Sequence, residues 1–214
     1  MSKVDSSMKV LLFAGPFELR GTSAYTLRLA HYTADYGIRA RVVCPDASKV
    51  DPGIRSKLDI TEYRNLNVPI LGQAVLRLVK QEAEKNIPDL IHIQSRHVLP
   101  QGQWMARKLK RPFLLTVNDY LQSDEKLRID LKWCRGIITV SESVKKDLIA
   151  RTGLPEDFVL VISSGVDVPD VSHLSPVLSL DHQPVVGTAG PLEAIKGLPY
   201  FLGAASRVLA ENPN

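Results

Sequence analysis

A chain of 214 residues is long enough for one large domain, or for one domain with part of another. Its 44% hydrophobic content excludes global disorder, and no apolar run reaches the roughly 18 residues that span a bilayer. The net charge of +4, from 27 basic and 23 acidic residues, permits an anionic ligand or a membrane surface without demanding either.

Residues 1–7 are short and polar and read as a disordered extension ahead of Met8, not a signal peptide. Lys9 to Ala14 is an apolar, β-rich run that predicts a buried strand, broken by Gly15-Pro16. Gly21-Thr22-Ser23 opens a helical pattern through Tyr25, Leu29, Tyr32 and Tyr36, which Gly37 closes. A strand, a glycine-containing loop and a helix form the opening unit of a doubly wound α/β domain, where ligands sit at the carboxyl ends of strands. The helix start suits an anion. The strict G-x-G-x-x-G fingerprint is absent, which argues against a dinucleotide-binding oxidoreductase or epimerase.

Arg39 to Cys44 predicts a second strand, stopped by Pro45. Residues 46–69 are irregular, with a short strand near Ile60 to Tyr63. Leu71, Val75, Leu78, Val79 and Ala83 mark an amphipathic helix ending near Asn86. Strands follow at Leu90 to Gln94, Phe113 to Val117, Gly136 to Val140 and Val159 to Ile162, with helices at Pro100 to Leu109 and Glu125 to Trp133. Ser141 suits the N-cap of one further helix, and Glu142 suits its positive end. The two cysteines, Cys44 and Cys134, are far apart and give no disulfide framework and no zinc spacing.

Strands alternating with helices imply a parallel sheet covered on both faces. Right-handed crossovers then gather Gly15 to Ser23, Gln94 to His97, Asn118-Asp119 and Ser141-Glu142 on one polar rim. His92, in mid-strand, is expected to be packed, whereas His97 is a cleft candidate. Trp104 with Arg107, Lys108, Lys110 and Arg111 reads as a solvated helix face, with an anionic acceptor or membrane surface as the other reading. Nothing has the signature of a nucleic-acid module. Residues 169–184 are rich in Pro, Ser and Asp and read as a linker. Val185 to Thr188, Gly190 to Gly197 and Pro199 to Leu209 then repeat the strand–loop–helix unit, as if a second domain begins at 185–214.

Together these stretches resemble the retaining glycosyltransferases of the GT-B fold, in particular family 4 (glycosyl transferase group 1). The segments that carry the resemblance are Met8 to Ala14 with Gly21 and Tyr25, Pro88 to His92, Pro112 to Asp119, Ile138 to Ser143, Val161-Ile162 with Gly165 to Asp167, and Val186 through Lys196-Gly197. The resemblance implies a Rossmann-like acceptor-side domain over 8–168 and the start of a donor-side domain, truncated and inactive by itself. It implies transfer of a hexosyl group from a nucleotide sugar (UDP- or GDP-sugar) to a sugar or lipid-linked acceptor. No metal and no tightly bound cofactor are implied. Gly21, Thr22 and Lys196 would hold the donor phosphates. Asn118 stands at the position of a catalytic-site His, and Ser95, His97, Asp119, Ser141 and Glu142 would line the acceptor cleft. A cytoplasmic location, peripheral membrane contact and self-association through 185–214 complete the expectations. Thr22, Asn118, Ser164 and Pro191 depart from the family pattern, which keeps a non-catalytic binding domain open as the alternative.

Overall fold

The computed structural model describes residues 7–18, 21–168, 170, 185–190, 192 and 196–212. The chain divides into two compact units, Met1–Val166 and Asp167–Asn214. The first is built on β1 (Met8–Phe13), β2 (Ile38–Cys44), β3 (Asp59–Glu62), β4 (Leu90–Ile93), β5 (Phe113–Val117), β6 (Cys134–Thr139) and β7 (Val159–Val161). They form one sheet in the order β3-β2-β1-β4-β5-β6-β7, and every pairing is parallel. The fold is a Rossmann-like, doubly wound α/β fold.

The period of two in each strand sorts its side chains between two cores. Leu11, Phe13, Ile91, Ile93, Phe113 and Leu115 pack with α3 (Leu71–Lys85), α4 (Leu99–Leu109) and α5 (Glu142–Thr152). Val10, Leu12, Ala14, Val42 and Cys44 face the other way and pack with Ala30 of α1 (Gly21–Tyr32). Gly102 allows α4 to approach β4 closely, because a Cβ there would stand 2.5 Å from Ile93 Cδ1 and Cγ1.

The caps follow the sequence. Gly37 (φ +70°) and Gly153 (φ +69°) occupy left-handed C-caps. Ser141 Oγ accepts from Val144 N at 3.3 Å. The first helix changes to a 3-10 turn at Thr33–Tyr36, so Tyr36 leaves the apolar stripe and is 82% exposed. Residues 46–69 also contain α2 (Pro52–Arg55), capped by Asp51 Oδ1.

Glu125 to Trp133 is not a helix. Gln103 of α4 replaces the helical ladder there: its Nε2 donates to Arg128 O at 3.1 Å, and its Oε1 accepts from Asp130 N at 2.5 Å. Leu127, Ile129 and Trp133 are drawn separately onto the core, a tertiary preference that overrides local helix propensity.

In the second unit α6 (Leu198–Glu211) forms as expected. The expected strand at Val185 to Thr188 does not. Val185 and Val186 are 93% and 79% exposed; no ladder forms among the described residues, and a single strand without a ladder leaves its backbone groups to water. Residues 1–6, most of the 169–184 linker, and Pro191 lie outside the described residues. Among the described residues, no helix is long and apolar enough to cross a membrane.

Candidate functional site

The strand order creates the site. After β1 the chain goes outward to β2 and β3, then returns through α3 to β4 on β1's other side. The loops after β1 and β4 therefore diverge, and a crevice opens between them at the carboxyl ends of the strands. That crevice measures about 330 Å3. Gly15 to Glu18 and Thr22-Ser23 form one wall, Ser95 to Val98 the other, and Asn67, Asn118 and Asp119 complete the mouth.

Buried polar groups hold the floor. Thr26, 3% exposed, lies within hydrogen-bond reach of Thr22 O (3.0 Å) and Gln94 Oε1 (3.3 Å), so it ties the first turn of α1 to β4. Asn118 Nδ2 donates to Gln94 O at 3.1 Å. A carbonyl must be met by the amide's NH2, so Asn118 Oδ1 is turned to the other side. Deeper in the sheet, His92 Nε2 lies 2.8 Å from Thr116 Oγ1. Desolvation pushes the His92 imidazole down to about 4, so it is neutral at pH 7. Tyr25 reaches the same Thr116, and burial raises its phenol despite that hydrogen bond.

The sequence-predicted residues separate into groups. Thr22, Ser95, His97, Asn118 and Asp119 line the crevice. Ser95 Oγ accepts from His97 N at 3.3 Å and shapes its own loop, leaving the His97 side chain exposed. Gly21 begins α1 outside that lining, and a Cβ there would meet no protein atom within 4 Å. Ser141 and Glu142 lie at the neighbouring strand end: Ser141 is committed to capping α5, and neither lines the crevice. Lys196 belongs to the second unit and is exposed.

Arg96 was not singled out from the sequence. Its side chain is only 3% exposed. Nη1 donates to Asp119 O at 3.1 Å and pairs with Asp119 Oδ1. Nε lies 2.7 Å from Glu125 Oε1 as an ion pair, although its N–H is not aimed along a hydrogen bond. One guanidinium thus clamps the loop after β5 onto the loop after β4. The legible signal is positional: Arg96 and Asp119 each stand just beyond the carboxyl end of adjacent parallel strands. Among the described residues, no group of three His, Cys, Asp or Glu side chains is arranged to hold a metal.

The sequence profile of Glycosyltransferase Family 4 matches residues 19–169. The chain belongs to glycosyltransferase family 4. No curated protein sequence matches it. Among solved structures, a glycosyltransferase from Rickettsia africae ESF-5 is 22% identical, with a TM-score of 0.65 over 80% of this chain and 47% of that one. Anabaena HepE in complex with UDP and glucose is 20% identical, with a TM-score of 0.59 over 75% and 45%. UDP-N-acetylglucosamine 2-epimerase from Rickettsia bellii is 17% identical, with a TM-score of 0.53 over 74% and 45%. The family 4 chain therefore spans somewhat less than half the length of these structures. Its fold is shared by transferases and an epimerase, and the fold by itself does not assign a reaction.

Proposed function

We propose that this family 4 chain forms the acceptor-side lobe of a retaining glycosyltransferase that moves a hexosyl group from a UDP- or GDP-sugar to a sugar or lipid-linked acceptor. The observation that carries the reading is the crevice at the β1/β4 switch point. It offers hydroxyl, amide, imidazole and carboxylate groups from Ser95, Asn67, Asn118, His97 and Asp119. A sugar presents both donors and acceptors in every direction, and such a mixed, mostly neutral wall matches it better than a single strong charge does.

Asp119 is the acceptor-hydroxyl anchor, held in place by Arg96. Asn118, oriented by Gln94, offers a carbonyl oxygen to a substrate hydroxyl and carries no proton in the reaction. Gly21 and Thr22 at the start of α1, and Lys196 in residues 185–214, are assigned to the donor diphosphate. There, fixed positive groups stabilise the charge that develops on the leaving phosphate oxygen, an effect worth about 3 kcal/mol for one well-placed donor. Because it matches less than half of each of those structures, the chain by itself turns over slowly or not at all.

The non-catalytic alternative draws on Asn118, which departs from the family's His and whose amide is already committed to Gln94 O. Calorimetric titration with UDP and GDP separates the two readings. Binding that Lys196→Ala weakens about tenfold, a loss of about 1.4 kcal/mol, supports the transferase. Absence of binding at millimolar nucleotide favours the binding domain, and rapid transfer by this chain overturns the assignment of a donor half elsewhere.

A further inference from the structure

The crevice has a neighbour on the same rim. Beyond the carboxyl ends of β2 and β3, an open pocket of about 660 Å3 is lined by Pro45, Asp46, Arg55, Glu62, Arg64 and Asn65. That size is ordinary for a ligand site. The two cavities share a wall. Phe17, which lines the crevice, donates its N–H to Asp46 O at 2.9 Å. Asn65 lines the pocket and Asn67 lines the crevice. Leu66 between them is 1% exposed and anchors the turn, which Val68 N closes onto Asn65 O at 3.0 Å. Residues two apart in sequence are separated by at most about 7 Å, so a ligand only a few rings long touches both cavities.

Glu62 organises the pocket. It is the last residue of β3, its side chain is 17% exposed, and its Oε2 accepts from Ala47 N at 3.2 Å. Arg55 Nη2 donates to the same oxygen at 3.4 Å, and Arg64 Nε donates to Oε1 at 3.0 Å. Arg55 is delivered by α2, and its Nη1 also donates to Ala47 O at 3.4 Å. Among the described residues Arg64 is hydrogen-bonded through Nε alone, so its two terminal NH2 groups remain for a ligand. Asp46 is fixed as well, since its Oδ1 accepts from Ser48 N at 2.7 Å. The lining thus carries two guanidinium groups and two carboxylates and has no net charge. A free anion gains little from such a balance. A polyol gains at each group, because its hydroxyls accept from the guanidinium and the Asn65 amide and donate to the carboxylates.

We infer that this pocket is a second saccharide subsite and that the acceptor is an oligosaccharide, with its reacting sugar in the crevice and a neighbouring sugar held by Asp46, Arg64 and Asn65. A single sugar fills the crevice and leaves the pocket to water, so a chain of two or more sugars binds more tightly. The assignment rests on the transferase reading above, because the crevice must hold the sugar that is extended.

An array of mono- to hexasaccharides, neutral and phosphorylated, presented to the full chain tests this. The best-retained oligosaccharide and its terminal monosaccharide are then titrated calorimetrically. The oligosaccharide is expected to bind about tenfold more tightly than the monosaccharide. Arg64→Ala is expected to lower oligosaccharide affinity about tenfold and Asn65→Gly about threefold, with monosaccharide affinity unchanged in both. Neither variant disturbs the fold: the Arg64 side chain is 87% exposed, and glycine adopts the +64° φ of Asn65 freely. Unchanged melting temperatures verify this. Equal affinity for the two ligands, undiminished oligosaccharide binding by both variants, or retention of no glycan overturns the subsite. Retention of phosphorylated glycans alone also overturns it and assigns an anion site instead. The transferase reading is judged separately by the UDP and GDP titration, which does not involve this pocket.

Discussion

Replacing Arg96 by Met keeps most of the buried volume and removes the guanidinium. Two acidic groups lose their partner at once. Glu125 is 24% exposed, and its carboxylate is left mostly desolvated. Asp119 is 69% exposed, so water recovers most of its hydration. Breaking one side of a fully buried pair typically costs 3–5 kcal/mol, and the solvated partner reduces that figure. We expect a loss of about 2–3 kcal/mol, read as a lower urea midpoint or a melting temperature lower by about 5–10 °C for a chain of this size. The Arg96→Met/Glu125→Gln double variant is expected to recover about 1 kcal/mol relative to the sum of the single variants, because the orphaned carboxylate is gone. An Arg96→Met change below about 0.5 kcal/mol would refute the clamp, since surface substitutions already produce effects of that size.

Two further outcomes follow from buried contacts. His92 has its pKa depressed to about 4 by burial, so between that value and about 6.5 the unfolded chain binds a proton that the folded chain refuses. Its contribution is complete above pH 6.5 and is lost as the pH falls toward 4, with a slope of up to ~1.4 kcal/mol per pH unit. Urea unfolding across that range, with His92→Gln as the flattened control, measures it, and equal slopes for the two proteins contradict the assignment. Gly102→Ala forces a methyl against the fully buried Ile93 and is expected to cost about 1–3 kcal/mol in thermal or urea unfolding. A neutral result means that α4 does not press on β4 as described.

Much of the fold was legible because its signals are local. A parallel strand buried on both faces reads as a short apolar run, as Phe113 to Val117 does. Ser141 and Gly37 act within a few residues of themselves. Two misreadings of secondary structure were also local inferences. Glu125 to Trp133 has helix-compatible residues, but Gln103 from α4 takes its backbone groups. Val185 to Thr188 has strand-like residues, but no ladder forms there among the described residues.

The amino-acid order alone established the alternation of strands and helices, the caps that end them, and the gathering of polar loops on one rim. Its short-range patterns carry those features directly. The strand order that parts β1 from β4 at a crevice was decided in three dimensions, as was the selection of Ser95, His97, Asn118 and Asp119 over Ser141 and Glu142 to line it. So was the burial of Arg96 between two carboxylates. Each of these depends on what stands opposite a residue after the chain has crossed the sheet or closed a loop, and a contact of that kind leaves no periodic trace in the sequence.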